Sequence, residues 1–482
     1  MSPGRPRADR CPGALVLHEA ADGGLARIRL PGGLVDGETL AALAALAESF
    51  GVHGAVELTS RGNLQLRGVP LDRRAELAER VADLGLLPSA THERVRNIVA
   101  SPYAGLGDAA ARSDAVARSD AAPSDATAPF DAPGSTRAAS RPLDGRVRAL
   151  DEALCADPDL AGLSGRFLFG LDDGSGDIRA LGPDAWAEPA AAGRWWVGPA
   201  GVEVAGDEVV GELLAAARAF LRAAEAAGSF WRVRDLPDAG AALAAGLRAG
   251  RPARPRPAGS PPARHAADRI GGWRRPDGGH AGAVHVPLGR LTRPAAELLA
   301  AGSRPPAGRA DPGGQPLRIT PWRSIVVPFL TDPSLLAARA AEVGLVTDPA
   351  STWTRVTACA GRPGCASALA DVRSDAARAV AAGAVLPTGD AGAADLVPVA
   401  PDRHVAGASA GGAGRGEPSG DHPAGVAPAG GPRAAGGRPA RAHWSGCARR
   451  CGRPAGPHVE VVAGPDGYVV RDACAEPKEA RW

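Results

Sequence analysis

Two cysteine pairs limit what this chain can fold into more than any other feature, because one fold must serve both Cys359-Ala-Gly-Arg-Pro-Gly-Cys365 and Cys447-Ala-Arg-Arg-Cys451. C-x5-C with C-x3-C supplies the four thiolates that a cubane 4Fe–4S cluster asks for. Gly361, Pro363, Gly364 and Gly446 flank them, and such residues let backbone wrap a bulky inorganic group and aim N–H groups at its sulfurs. Cys365 is expected to open a helix over 367–382, whose N-terminal dipole would favour a thiolate. Structural zinc is the rival, though its knuckles usually run C-x2-C to C-x4-C. Four buried thiols without a metal are the plain alternative. Cys11, Cys155 and Cys474 stand alone and read as incidental, and an odd total of seven cysteines argues against a disulfide framework.

A length of 482 residues suggests roughly two to four domains. With 64 Gly, 45 Pro and 4% aromatic residues, part of that length cannot be core. Segments 104–145, 249–282 and 405–442 hold few large apolar residues, so they are expected to be flexible insertions or linkers. The net charge of +2 is too small to argue for nucleic acid or an anionic membrane as partner. Nearly every basic residue is arginine, Lys478 being the one lysine. The longest apolar candidate, Leu213 to Ala227, is broken by Arg218, Arg222 and Glu225 and reads as a soluble helix. The N-terminus lacks the apolar stretch of a secretory signal, so a cytoplasmic location is expected.

Residues 14–103 read as strand 25–30, helix 38–50, a strand pair within 55–69 and helix 72–86. Residues 283–348 repeat that order, with a strand at AVHVPLGRL, helix 294–301, the stretch LRITPWRSIVVP and helix 333–343. Thr59 and Asn63-Leu64-Gln65-Leu66 register on Thr320 and Ser324-Ile325-Val326-Val327, which points to an internal duplication; Arg61 then falls opposite Trp322. Residues 146–248 and 349–482 mix strands with Ala-rich helices, so the fold class is α+β.

ELTSRGNLQLRGV, the RNIVASPYAGL that follows it, the C-x5-C and SGCARRCGRP together resemble the siroheme-dependent sulfite and nitrite reductases, and within that superfamily the precorrin-3B synthases. The resemblance implies two ferredoxin-like half-domains (14–103 and 283–348) related by internal duplication. Two α/β modules of the nitrite/sulfite-reductase 4Fe–4S type, 146–248 and 349–482, would complete the fold. It also implies a 4Fe–4S cluster on Cys359, Cys365, Cys447 and Cys451, with Cys451 nearest a tetrapyrrole. Arg61 and Arg96 would be catalytic, facing substrate or tetrapyrrole carboxylates. Arg67, Arg166 and Arg323 would join Arg61 and Arg96 in binding substrate, because guanidinium forks suit carboxylates, and Asn97, next to Arg96 in the motif, would bind substrate or serve equally as a turn residue.

One departure separates the two branches. The reductases carry a K-x-K strand that delivers protons, whereas here the matching strand is Arg166-Phe167-Leu168-Phe169, and arginine does not give up its proton. That favours the precorrin-3B synthase type: hydroxylation of precorrin-3A at C20 with lactone formation, using O2 and NADH-derived electrons. The alternative is a siroheme-dependent ferredoxin-type sulfite or nitrite reductase; a cluster protein serving electron transfer alone is a third reading. A second iron or siroheme is implied as a further cofactor. Among His18, His53, His92, His285, His404, His443 and His458 no ligand triad is legible, and His443 is the one nearest the cysteines. No G-x-G-x-x-G opens a helix after a strand, so electrons are expected from an external ferredoxin or NADH-linked reductase.

Overall fold

The computed structural model describes residues 11–50, 54–107, 143–228, 230–251, 269–276, 278–303, 316–330, 333–387, 441–454 and 457–472. The bulk of the expected insertions 104–145, 249–282 and 405–442 lies outside these residues, as do His53, His404, Cys474 and Lys478. The chain divides into two compact units, one comprising residues up to Thr354 with 363–366, the other Arg355–Arg362 and the residues from Ser367 on. No helix among the described residues is long and apolar enough to cross a membrane.

The first unit begins with β1 (His18–Ala20), β2 (Gly23–Ile28), β3 (Leu34–Val35), the helix Gly37–Ser49, β4 (Ala55–Leu58), β5 (Leu64–Val69) and the helix Arg74–Asp83. The helix Gly37–Ser49 starts where the Asp36 carboxylate accepts the Thr39 N–H at 2.7 Å, and it buries Leu40, Leu43, Ala44 and Ala47 on one stripe. A middle sheet follows, from β6 (Ile98–Ala100), β7 (Phe169–Leu171), β8 (Ala185–Pro189), β9 (Trp195–Gly198) and β10 (Val202–Val204) in the order β10-β9-β8-β7-β6. Its first strand comes from inside the expected segment 14–103. The helices Leu143–Cys155 and Val209–Ala227 share its core with Phe167, Phe169 and Phe220.

The chain continues with β11 (Gly271–Arg274), β12 (His280–His285), β13 (Arg290–Thr292), β14 (Leu317–Ile319) and β15 (Ser324–Leu330), all but β13 in a third sheet, with helices Arg293–Gly302 and Pro333–Glu342. Here the expected linker 249–282 is corrected, because β11 and the start of β12 fall within it. Trp273, buried in β11, explains why: its indole N–H donates to the Leu106 carbonyl at 2.9 Å and its ring joins a small core with Tyr103.

The first sheet runs β1-β2-β5-β4-β13 and the third β11-β12-β15-β14-β3, so each takes its last strand from the other. Val35 pairs Leu317, and Leu291 pairs Val56. One core then joins Ile28, Leu30, Leu64 and Leu66 to Val284, Val286, Ile325 and Val327. The turns also correspond. Thr59 N–H donates to Asn63 O at 2.9 Å, and Thr320 N–H to Ser324 O at 2.9 Å. Gly62 (φ 66°) and Arg323 (φ 59°) occupy matching left-handed positions.

Two buried amides tie the first sheet to the middle one. Asn63 accepts the Leu30 N–H at 2.9 Å and donates to Asn97 Oδ1 at 3.1 Å, while Asn97 donates to the Phe167 carbonyl at 2.9 Å. Asn97 thus spends its amide inside the protein, in place of the expected substrate contact.

The second unit carries β16 (Val356–Ala358), β17 (Ala442–Ser445), β18 (Val459–Gly464) and β19 (Gly467–Asp472) in sequential order, with the first two pairings parallel and the last antiparallel. Its helix, Val372–Ala381, starts at an Asp371 cap.

Asn63→Ala and Asn97→Ala should each cost about 1–3 kcal/mol by stranding a buried partner, and the double variant should cost less than their sum. Denaturant unfolding of all four proteins measures this; strictly additive losses would show that the two amides do not act together.

Candidate functional site

The turn after β4 presents Arg61 half-buried, its Nη1 reaching the Gly165 carbonyl at 3.5 Å. Arg29 reaches the same carbonyl at 3.3 Å and the Arg94 carbonyl at 3.2 Å. Gly165 is required at this crossing, since a Cβ there would lie 2.8 Å from Cys11 Cβ and 3.2 Å from the Arg94 carbonyl. Arg27 bonds Gln65 Oε1 at 3.2 Å through Nη2, while its buried Nε finds no acceptor.

Arg232 completes the group and is buried against Asp184, whose carboxylate also takes the Leu168 and Val233 N–H groups at 2.8 Å each. Arg61 is pushed down to about 10, first by burial and then by the Arg232 and Arg27 charges; Cys11 and Asp184 act the other way. Guanidinium charge therefore exceeds the carboxylate available to it, since Asp184 is already engaged by Arg232. Such a concentration favours an anionic group, which would return Arg61 towards its ordinary range. Arg27, Arg29 and Arg232 were not anticipated, and in a chain where nearly all basic residues are arginine no sequence signal marks them out.

The other expected residues have different surroundings. Arg166 stacks on Trp231, 4.0 Å from its ring centroid, beside the Arg61 group in sequence and space. Arg96 is buried in a bidentate pair with Asp151 at 2.7 Å and donates to the Leu86 carbonyl at 3.3 Å. Arg67 makes a bidentate pair with Asp22 at 3.0 Å and a short bond to the Gly364 carbonyl. The structure thus gives Arg67 and Arg96 internal partners in place of an open substrate face. Arg323 packs against Gly289, next to the Leu58 carbonyl at the end of β4; burial and its charge push the nearby His285 down to about 4.

In the second unit Cys359 ends β16. Its N–H donates to Trp444 O at 2.9 Å, and its Sγ accepts the Gly446 N–H at 3.2 Å. A Cβ on Gly446 would lie 2.7 Å from Ala368 Cβ, so only glycine lets this N–H approach the sulfur. A backbone donor aimed at a thiol in a glycine-built cradle suits a thiolate that ligates a metal centre. Cys447 lies in the same unit, as does the exposed Cys451, and Cys365 belongs to the 363–366 segment counted with the first unit. The six described cysteines form no disulfide.

Cys365 does not open a helix. It sits in a turn, and the helix begins at Val372 because Asp371 accepts the Ser374 N–H at 3.2 Å. Nor is His443 available as an iron ligand in this conformation: one ring nitrogen contacts Thr357 Oγ1 at 2.8 Å and the other the Cys451 carbonyl at 3.0 Å.

Asp172, Asp173 and Asp177 bring carboxylate oxygens within 4.8 Å of one another. Asp172 is saturated by the N–H groups of Gly174, Gly176, Ile178 and Arg179, at 2.8 to 3.0 Å, and shapes the loop. Asp177 accepts the Ser101 hydroxyl at 2.5 Å and is pushed up to about 7 by burial and then by its two acidic neighbours.

Residues 18–84 match the nitrite/sulfite reductase ferredoxin-like half domain. The ferredoxin--nitrite reductase of Synechococcus elongatus is 41% identical over 87 residues, covering 18% of this chain and 17% of that protein. That of Leptolyngbya laminosa is 36% identical over 81 residues, or 17% and 16%. The chloroplastic enzyme of Zea mays is 33% identical over 81 residues, or 17% and 14%. The matched stretch is therefore under a fifth of either partner. The Mycobacterium tuberculosis NirA protein shares the fold, with a TM-score of 0.57 at 17% identity over 93% of this chain and 73% of that one.

Asp177 keeps its proton in the folded chain up to about 7, whereas the unfolded chain releases it near the ordinary 3.8. Stability is therefore lost as pH rises between those values, and the loss persists above them. Asp177→Asn, which can still accept from Ser101, should exceed the wild type in stability by about 2–4 kcal/mol near pH 8 and match it near pH 4. Urea unfolding at the two pH values checks this, and equal stability at the higher one would refute the buried-proton account.

Proposed function

We propose that the chain is an iron–sulfur oxidoreductase of the nitrite/sulfite reductase fold whose anion site takes the carboxylates of a tetrapyrrole. Of the two chemistries on this fold, we infer the precorrin-3B synthase type, in which the tetrapyrrole is the substrate. We also infer that the two sheets that exchange strands arose by duplication, which their matching orders and turns support.

The observation that carries the substrate reading is the strand expected to bear a lysine pair. Phe167 and Phe169 are core residues, Leu168 is buried with its N–H on Asp184, and Arg166 is stacked on Trp231. None of these can hand a proton to a reduced oxyanion at neutral pH. Binding and orienting a polycarboxylate macrocycle requires charge rather than proton release, and Arg27, Arg29 and Arg61 supply that charge.

Cys359, Cys365, Cys447 and Cys451 would hold the 4Fe–4S cluster, which when bound relays electrons one at a time. In the proposed reaction one atom of O2 enters precorrin-3A at C20 and the other leaves as water. Two electrons originate from NADH and arrive through an external ferredoxin or NADH-linked reductase. Arg61 and Arg27 would pair with a substrate carboxylate, Asp184 would restrain Arg232, and the Trp231 face would hold Arg166 flat beside the site.

The second reading is a siroheme-dependent nitrite or sulfite reductase fed by ferredoxin. The relatives of residues 18–84 favour it, because those proteins are ferredoxin--nitrite reductases.

Anaerobic purification, an absorption spectrum with iron and acid-labile sulfide counts, and then addition of precorrin-3A with O2 separate the two. A broad iron–sulfur band without siroheme bands, followed by substrate conversion, is expected. Siroheme bands with nitrite or sulfite turnover would establish the second reading. Arg61→Ala should lower kcat/KM for the macrocycle by roughly 10- to 100-fold, the worth of a charge-assisted bond, and leave the cluster spectrum unchanged.

A further inference from the structure

Arg450 lies between Cys447 and Cys451 with φ 50°, one of five non-glycine residues among those described with positive φ. A side chain in that region costs energy and persists only where its surroundings over-determine it. Two contacts do so here. The Arg450 N–H donates to the Cys447 carbonyl at 3.2 Å and closes the turn, and Nη1 donates to Glu460 Oε2 at 2.8 Å.

Glu460 sits on β18 and is almost fully buried, at 1% exposure. Its other oxygen takes Arg453 Nη1 at 3.4 Å and lies 3.8 Å from His458 Nε2. One buried carboxylate thus grips the residue before Cys451 and the residue two after it. On the remaining side His443, itself bonded to Thr357, contacts the Cys451 carbonyl at 3.0 Å. The backbone on both sides of Cys451 is fixed while its side chain stays at the surface.

We propose that Glu460 is a positioning residue for the metal centre: through Arg450 and Arg453 it holds the Cys447–Cys451 turn in its ligating shape and sets the positive charge beside the cluster. This rests on the iron–sulfur reading above. Without the carboxylate the turn loses its anchor and the two guanidinium charges stand uncompensated. Ligation should weaken, and because added positive charge favours the more reduced cluster, the midpoint potential should rise.

The full-length chain, reconstituted anaerobically with ferrous iron and sulfide, provides the test in four forms: wild type, Glu460→Gln, Arg450→Gly and Asp466→Asn as a surface control. Glu460→Gln and Arg450→Gly should lose iron to a chelator at least several-fold faster than the wild type, with an altered EPR signal. Any Glu460→Gln cluster that survives should have a higher midpoint potential. Glycine relieves the positive φ, so a role confined to backbone strain would leave Arg450→Gly equal to or better than the wild type. Wild-type chelation rates, spectra and potential in both variants would overturn the inference while leaving the cluster reading intact. A wild type that takes up no cluster would overturn both. Arg450→Gly decides the matter should Glu460→Gln fail to fold.

Discussion

The first unit depends on an exchange of very short strands. β3 is two residues long, yet it completes the sheet of β11, β12, β14 and β15, and β13 returns the contact to β4. This exchange works only because backbone passes backbone at Gly33, where a Cβ would lie 2.1 Å from the Ile319 carbonyl oxygen. With φ 73° the position suits glycine on conformational grounds as well. Neither sheet could bury its inner face alone, and together they form one core. The Arg61 turn grows directly from that core: a Cβ on its Gly62 would lie 2.9 Å from the same Ile319 carbonyl oxygen, so the packing at this crossing sets the position of the turn.

Charge pairing then sorts the arginines. Composition makes every basic side chain of the described fold an arginine, so the distinction between structural and functional lies in which of them already have carboxylates. Arg67 has Asp22, Arg96 has Asp151, Arg232 has Asp184, and Arg318 has Asp144. A buried ion pair of this sort does little for net stability, but removing one partner leaves an uncompensated charge, so each pair is self-maintaining. Arg61 and Arg27 stand apart, held by carbonyl and amide oxygens, and the Arg27 charge helps lower the affinity of Arg61 for a proton. The turn that carries Arg61 falls within residues 18–84, the stretch that matches the nitrite/sulfite reductase ferredoxin-like half domain.

Much of this was legible in the sequence where a pattern has a local cause. The helices at 37–49 and 293–302 follow from apolar spacing and their start signals, and the register of Thr59 on Thr320 is met by the same hydrogen bond in both turns. Segment boundaries were not legible, because β6 joins its sheet through a strand distant in sequence and β11, a hairpin arm of β12, is held by the contact of Trp273 with the Leu106 carbonyl 167 residues away. The helix start after Cys365 was misjudged for a simple reason: an Asp cap competed with an Ala-rich run and won at Asp371. Among the site residues, Arg61 carried a motif. Arg27, Arg29 and Arg232 had none, and the internal partners of Arg67, Arg96 and Asn97, apart from the Leu86 carbonyl, lie 34 to 297 residues away in sequence, where no spacing rule reaches.

The missing lysines link these strands of argument. A site that must supply protons needs groups that titrate near neutrality, and lysine can be tuned there by burial whereas arginine holds its proton even when pushed down to about 10. Along Arg166-Phe167-Leu168-Phe169, of which only Phe169 belongs to β7, the side chains are spent on packing and on the Trp231 face, so this stretch serves as a wall and not as the expected strand. In the function proposed above, such a wall beside the Arg61 group would grip a large polyanion while oxygen chemistry, whose protons can come through water, proceeds at one carbon. Reducing a small oxyanion such as nitrite would instead consume more than one proton per electron, and on that reading what stands in place of the two lysines decides between the reactions.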